Sequence, residues 1–102
     1  MNKLIVVTGG SKGIGRAIVE KFAKEGFDIV AISRTTSDLE ALGTFLKNSY
    51  ADINFYYFAA DLSDKSQVRI ASQYILSIGR NIDVLVNNSG LYNVKPDRKS
   101  VV

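Results

Sequence analysis

The chain has 102 residues, 46% hydrophobic and 23% charged, which is typical of one globular domain. It contains no cysteine and no histidine, which excludes disulfides, a cysteine nucleophile, the usual serine-hydrolase triad and most metal sites. Thirteen basic and ten acidic residues give a net charge of +3, but the basic residues are scattered, so we expect no nucleic-acid partner. The apolar runs are too short for a membrane span or a signal peptide, so we expect a cytoplasmic protein with no membrane partner.

The first third of the chain changes from strand-like to helix-like spacing and back. Residues 3–8 form a short run rich in β-branched residues, typical of a strand buried on both faces. A glycine-rich turn over residues 9–15 leads into apolar residues at helical spacing, and Gly26 stands where a helix C-cap glycine belongs. A second strand is predicted over residues 27–33.

The same alternation continues to residue 87. Ser37 and Glu40 form a capping box that predicts the start of a second helix. Residues 53–60 are predicted to form a third strand, Ser63 to cap a third helix, and residues 82–87 to form a fourth strand.

Strands that alternate with helices predict an α/β fold with a doubly wound parallel sheet and right-handed crossovers. The strand order is then 3-2-1-4, with two helices on one face and the third on the other. We expect one domain over residues 1–90 and a polar loop or disordered tail over residues 91–102. The fourth strand lies at an edge and is apolar, so we expect a homo-oligomer formed through it.

The glycine-rich turn, TGGSKGIG at residues 8–15, lies where a doubly wound fold binds a dinucleotide pyrophosphate at a helix N-terminus. A phosphate-binding P-loop is excluded because Arg16 and Ala17 stand where lysine and a hydroxyl residue are needed. The common dinucleotide-binding pattern G-x-G-x-x-G would begin at Gly13 and Gly15. It does not fit, because its third glycine would be residue 18, which is isoleucine. A plain tight turn remains an alternative.

Three motifs occur in order along residues 1–90: T-G-x-x-x-G-x-G at residues 8–15, Asp61-Leu62 after the third strand, and Asn87-Asn88-Ser89-Gly90 ending the fourth. Together they resemble the N-terminal half of the short-chain dehydrogenase/reductase family, with Ser89 in place of an alanine. The resemblance implies a Rossmann-like fold that binds a dinucleotide cofactor. The cofactor-binding residues that it implies are Gly9, Ser11, Lys12, Gly13, Ile14, Gly15, Ser33, Arg34, Thr35, Asp61, Leu62, Asn87, Ser89 and Gly90.

The end of the second strand indicates NADP rather than NAD. An NAD enzyme needs a carboxylate there for the ribose 2′-hydroxyl, but this chain has Ser33, Arg34 and Thr35. The Arg34 guanidinium suits a 2′-phosphate, and Lys12 is a second cation for it. Asp28 opens the strand and is not the missing carboxylate. The alternative is that both cations are solvated surface charges.

Two of the implied residues also have structural interpretations. Asp61 precedes Leu-Ser and could cap the third helix, although Ser63 suits that position better. Asn87 could hold the strand end together as well as contact the cofactor.

The family's catalytic serine and its Tyr-x-x-x-Lys pair are not found in this chain, since none of its five tyrosines has a lysine four residues later. The resemblance implies that a full member, more than twice as long, transfers hydride between NADP(H) and a carbonyl or alcohol. We predict no catalytic residue here and no activity of the chain alone. A redox-sensing binding module and a vestigial fold that binds nothing are the alternatives.

Overall fold

The computed structural model describes residues 2–88, in which strands and helices alternate. The elements are β1 (Leu4–Thr8), α1 (Gly13–Lys24), β2 (Asp28–Ser33), α2 (Thr36–Ser49), β3 (Phe55–Ala59), α3 (Lys65–Ser77) and β4 (Val84–Asn87). This order confirms the predicted α/β alternation. The predicted tail at residues 91–102 lies outside the described residues, so the division into a domain and a tail stays a prediction.

The four strands form one parallel sheet in the order β3-β2-β1-β4, as predicted. Leu4 is aligned with Asp28, Ile5 with Val84, and Ile29 with Phe55. Because all strands run in one direction, the loops that follow β1, β2 and β3 meet at the carboxyl edge of the sheet. In doubly wound folds this edge is where ligands bind.

The core has two halves, one on each face of the sheet. On one face Ile5 and Ile29 pack with Val19 of α1 and Leu42 of α2. On the other face the sheet packs against α3, whose Ala71 and Ile75 are buried among residues of β1 and β2. This confirms the predicted division of the helices. Each fully buried leucine, isoleucine or valine stabilises the fold by about 1.5–3 kcal/mol.

Two predicted helix caps are wrong. The N-cap of α2 is Thr35 rather than Ser37, because the helix already begins at Thr36 and places Ser37 inside its first turn. The N-cap of α3 is Asp64, whose carboxylate accepts a hydrogen bond from the Ser66 backbone N–H at 2.9 Å. Among residues 2–88, no helix is long and apolar enough to cross a membrane.

Asp28 lies at the amino edge of the sheet, opposite to the end where β2 leads into Arg34. Its side chain is 1% exposed and accepts hydrogen bonds from Asn2 at 3.0 Å, the Asn54 backbone N–H at 2.7 Å and the Arg80 guanidinium at 2.7 Å. Burial by itself raises the pKa of this carboxyl, but the hydrogen bonds from Asn54, Asn2 and Arg80 outweigh burial, so the pKa is lowered. Asp28 is therefore an ionised structural group that joins the segments before β1, β3 and β4.

Candidate functional site

The turn after β1 has a backbone that only glycine adopts without strain. Gly9 and Gly13 have φ values of +68° and +57°, in the left-handed region. The Gly9 backbone N–H donates to the Ile32 carbonyl at 2.7 Å, so the turn folds against the end of β2. The turn therefore places its own backbone beside the residues that follow β2.

Gly15 lies in the first turn of α1 and leaves no room for a side chain. A Cβ atom there would be 1.9 Å from the Gly9 carbonyl oxygen and 2.8 Å from the Gly9 carbonyl carbon. Because both are backbone atoms, no rotamer change relieves the clash. The absence of a side chain at residue 15 is what allows α1 to begin directly against the glycine turn.

The N-terminus of α1 is suited to an anion. Lys12 occupies its N-cap position without a side-chain cap hydrogen bond, and its first turn carries no acidic residue. The first N–H groups of a helix have no partner within the helix, and the helix dipole makes this end positive. Phosphate groups bind at helix ends of this kind.

A cavity of about 400 Å³ opens at the carboxyl edge, between the glycine turn and the residues that follow β2 and β3. Eight of the predicted cofactor residues line it: Gly9, Ser11, Lys12, Ser33, Arg34, Thr35, Asp61 and Leu62. They come from the end of β2 and from the loops that follow β1, β2 and β3, and the parallel register brings them together. Because the lining combines glycine backbone, hydroxyls and two cations, it is suited to a phosphorylated, polar ligand.

The other predicted site residues do not line this cavity. Gly13, Ile14, Gly15 and Asn87 lie outside its lining, and the Ile14 side chain is 73% exposed. The predicted Ser89 and Gly90 lie outside the described residues.

Four lining residues were missed by the sequence: Ile32, Asp38, Ala60 and Ser63. Ile32, Ala60 and Ser63 are chain neighbours of predicted residues and could have been found by extending each motif by one position. No sequence signal marks Asp38, which reaches the cavity from the first turn of α2.

Two hydroxyls join the glycine turn to β2 inside the cavity. The Ser11 and Ser33 Oγ atoms are 2.8 Å apart, and Ser11 is 6% exposed. This pair fixes the distance between the turn and the strand end. One of the two hydroxyls donates to the other, and the proton that remains can be donated to a phosphate oxygen.

The cavity contains two cations and two carboxylates. Lys12 Nζ lies 3.3 Å from Asp38 Oδ2. Asp61 Oδ1 accepts hydrogen bonds from the Ser63 hydroxyl at 2.6 Å and from the Ser63 backbone N–H at 3.0 Å. These bonds lower the pKa of Asp61, and the positive charge of Arg34 lowers it further. Asp61 is therefore ionised at neutral pH, and the cavity holds its two carboxylates beside its two cations.

Ser63, the predicted cap of α3, does not cap this helix, and neither does Asp61, for which capping was the alternative to an adenine contact. Asp61 does not cap α3, since Asp64 is its N-cap, and Asp61 holds Ser63 in the turn before the helix. The backbone N–H of Asp61 donates to the Gln67 side chain at 2.6 Å. The loop after β3 is therefore tied to the start of α3, which fixes the position of Asp61 in the cavity wall.

Asn87 and Asn88 connect the end of β4 to β1 and the glycine turn. The Thr8 hydroxyl donates to Asn87 Oδ1 at 3.0 Å and accepts from the Asn88 backbone N–H at 2.9 Å. The Asn88 side chain donates to the Gly9 carbonyl at 3.4 Å. Asn87 therefore helps to hold the ends of β4 and β1 together, as the sequence suggested. Its contact with a cofactor stays a prediction.

Comparison with known proteins agrees with the family resemblance of the three sequence motifs. Residues 3–100 match the sequence profile described as short chain dehydrogenase. L-2,3-butanediol dehydrogenase from Corynebacterium glutamicum is 36% identical over 96 residues, which cover 94% of this chain and 37% of that protein.

Solved structures of similar fold include two reductases. YwfH, described as an NADPH dependent reductase involved in bacilysin biosynthesis, superposes with a TM-score of 0.81 and 31% identity over 86% of this chain and 35% of its own. L-sorbose reductase from Gluconobacter frateurii, complexed with NADPH and L-sorbose, gives 0.80 and 36% identity over 87% of this chain and 34% of its own. The chain thus spans about a third of the length of the proteins that it matches.

Proposed function

Because the chain belongs to the short-chain dehydrogenase family, we propose that its cavity binds NADP(H) as the dinucleotide-binding part of an oxidoreductase. The observation that carries the proposal is the pair of cations, Lys12 and Arg34, in the cavity that begins where β2 ends. No carboxylate follows β2 directly, where one would accept from the ribose 2′-hydroxyl of NAD.

Each part of the cofactor has a complementary group in the chain. The N-terminus of α1 suits the pyrophosphate, and the absence of a side chain at Gly15 lets this helix end approach closely. Arg34 offers two parallel N–H groups to a 2′-phosphate, and Lys12 adds a point charge. Asp61 and Leu62 are assigned to the adenine, in keeping with the family motif that they match.

The relatives support this choice of cofactor, since one similar structure is described as NADPH dependent and another as complexed with NADPH. A bound nicotinamide supplies or accepts a hydride at a carbonyl or alcohol carbon, which makes the whole protein a reductase or dehydrogenase. This chain's own residues bind and orient the adenosine end of the cofactor. The 102 residues contain no Tyr-x-x-x-Lys, so we propose that they bind cofactor without turnover. The cytoplasmic location expected from the sequence stays part of this proposal.

Calorimetric titration of the 102-residue protein with NADPH and NADH tests the proposal. We expect tighter binding of NADPH and no oxidation of it, followed by absorbance, in the presence of simple ketones. Arg34→Asp should weaken NADPH binding by about 10–100-fold, because charged hydrogen bonds to the phosphate are lost and a repelling carboxylate is added. The control is Arg69→Asp, which makes the same charge change at an exposed position of α3.

Equal affinity for the two cofactors in the wild type, or an equal response of the Arg34 and Arg69 variants, would contradict the NADP assignment. Saturable binding of neither cofactor would favour the vestigial fold. Sustained turnover would show that the chain holds a proton donor that the tyrosine pattern does not reveal.

A further inference from the structure

Asp38 is a cavity residue without a role in the cofactor contacts described above. It belongs to the first turn of α2, and its Oδ2 lies 3.3 Å from Lys12 Nζ. The Asp38 side chain is 31% exposed, whereas Lys12 is 77% exposed. The carboxylate is thus the less exposed partner, and its contact holds the lysine ammonium at the rim of the cavity.

We propose that Asp38 is a specificity-determining residue that competes with a 2′-phosphate for Lys12 and so limits the preference of the cavity for NADP(H). This inference rests on the proposed function, because it assigns a role to a residue of the same cavity. A 2′-phosphate that binds Arg34 and Lys12 must share the ammonium with Asp38. A dinucleotide with a free 2′-hydroxyl has no phosphate to pair with Lys12, so it does not compete with Asp38.

The second carboxylate of the cavity does not compete in the same way. Asp61 Oδ1 is already engaged by the hydroxyl and the backbone N–H of Ser63. Its replacement would disturb the loop before α3 as well as the local charge. Removal of the Asp38 carboxylate therefore frees Lys12 to contact the ligand. The loop after β3 keeps its hydrogen bonds, because Asp61 is unchanged.

The size of the effect follows from the exposure of the pair. Exposed ion pairs contribute up to about fivefold to an equilibrium constant. Loss of the negative charge near the phosphate adds to this in the same direction. We therefore expect Asp38→Asn to raise the affinity for NADPH by about three- to tenfold and to change the affinity for NADH by less than about twofold.

The control is Glu40→Gln, which removes the same charge from the same helix at an exposed residue outside the cavity lining. Calorimetric titration of wild type, Asp38→Asn and Glu40→Gln with NADPH and NADH, at low salt, gives the comparison. Adenosine 2′,5′-bisphosphate and AMP serve as smaller probes that isolate the adenosine end. Unfolding by urea checks that the three proteins are equally folded.

A double substitution tests whether Asp38 acts through Lys12. In a Lys12→Gln background, the gain in NADPH affinity from Asp38→Asn should fall below about twofold. If Asp38→Asn raises NADPH affinity as much without Lys12 as with it, Asp38 does not compete for Lys12 and the proposal is wrong. Equal NADPH affinities of the Asp38→Asn and Glu40→Gln variants would also contradict it.

Two other outcomes separate this inference from the proposed function. If Asp38→Asn weakens NADH binding, the carboxylate is a ribose acceptor and the competition is wrong, although the cavity still binds a dinucleotide. If the wild type binds neither cofactor nor adenosine 2′,5′-bisphosphate, the proposed function fails and the inference fails with it.

Discussion

Gly13 and Gly15 both belong to the turn before α1, but they are glycine for different physical reasons. Gly13 has φ at +57° and open space around its Cα, so a side chain there meets a conformational cost and no clash. A Cβ at Gly15 would lie 1.9 Å from the Gly9 carbonyl oxygen. The first position controls the backbone turn, whereas the second controls the distance between the helix and the turn.

This difference predicts unequal effects of alanine at the two positions. Gly15→Ala must push α1 away from the turn, which we expect to destabilise the fold by about 2–4 kcal/mol. It should also weaken NADPH binding, because the helix N-terminus moves. Gly13→Ala should cost only about 1–2 kcal/mol, the strain of a left-handed residue. Urea unfolding measures both, and equal losses of stability would contradict the steric role of Gly15.

Among single residues, those of the cavity that belong to a continuous sequence motif were predictable. Those that reach the cavity only through the packing of another element were not. The glycine turn and Arg34 each follow a strand directly, so the order of elements was enough to place them. Asp38 contacts Lys12 across 26 residues of chain, and only the packing of α2 beside the turn shows this. Helix caps were missed by one or two residues, because Asp64 competes successfully with Ser63 for the same helix end.

At the scale of elements, Asp28 joins the amino ends of the strands. Its carboxylate accepts from Asn2 before β1, Asn54 before β3 and Arg80 before β4. The Arg80 side chain is 12% exposed and also donates to the Asn2 carbonyl at 2.7 Å. This network aligns the starts of the strands, while the cavity lies at their opposite ends.

Removal of the Asp28 charge should destabilise the protein in a pH-dependent way. Asp28→Asn leaves Arg80 without its counter-charge, which we expect to cost about 3 kcal/mol at pH 7. The pKa of Asp28 is lowered in the folded state, so its stabilisation is present above an unfolded pKa of about 3.9 and is lost as pH falls through the folded pKa. The difference in stability between wild type and variant should therefore narrow below about pH 4.

The control for this experiment is Asp52→Asn, since Asp52 is exposed and the charge change is the same. Surface substitutions of this kind usually change stability by less than about 0.5 kcal/mol. Urea unfolding at several pH values compares the three proteins. Similar stabilities of the two variants at neutral pH would show that the Asp28–Arg80 pair does not hold the strands.

The strands and helices themselves were largely predictable, because β-branched runs and helical spacing are local signals. Their ends were not. The predicted fourth strand began at Ile82, but β4 begins at Val84, since the Leu4 backbone N–H donates to the Asp83 side chain at 2.8 Å. A side-chain acceptor thus replaces a ladder carbonyl there, and apolar periodicity does not report this.

At the scale of the whole molecule, the sheet has two edges with little protection. β4 carries the apolar run Val84, Leu85 and Val86, and β3 is the run FYYFA. Neither strand contains a lysine or a proline, the residues that commonly block edge-to-edge pairing. On its outer side β4 has no strand partner among residues 2–88. The homo-oligomer expected from the sequence therefore stays a prediction of this fold.

We predict that the 102-residue protein self-associates through β4, as a dimer or higher oligomer. Val84 is only half-buried, so Val84→Lys places a charge at the open edge and should shift the protein toward monomer. Tyr57→Lys makes the corresponding change on β3, where Tyr57 is 37% exposed, and should leave the assembly unchanged. Light scattering across a dilution series gives the mass, and circular dichroism shows whether each variant is folded. A stable wild-type monomer at high micromolar concentration would contradict the prediction, and dissociation by Tyr57→Lys alone would assign the contact to β3 instead.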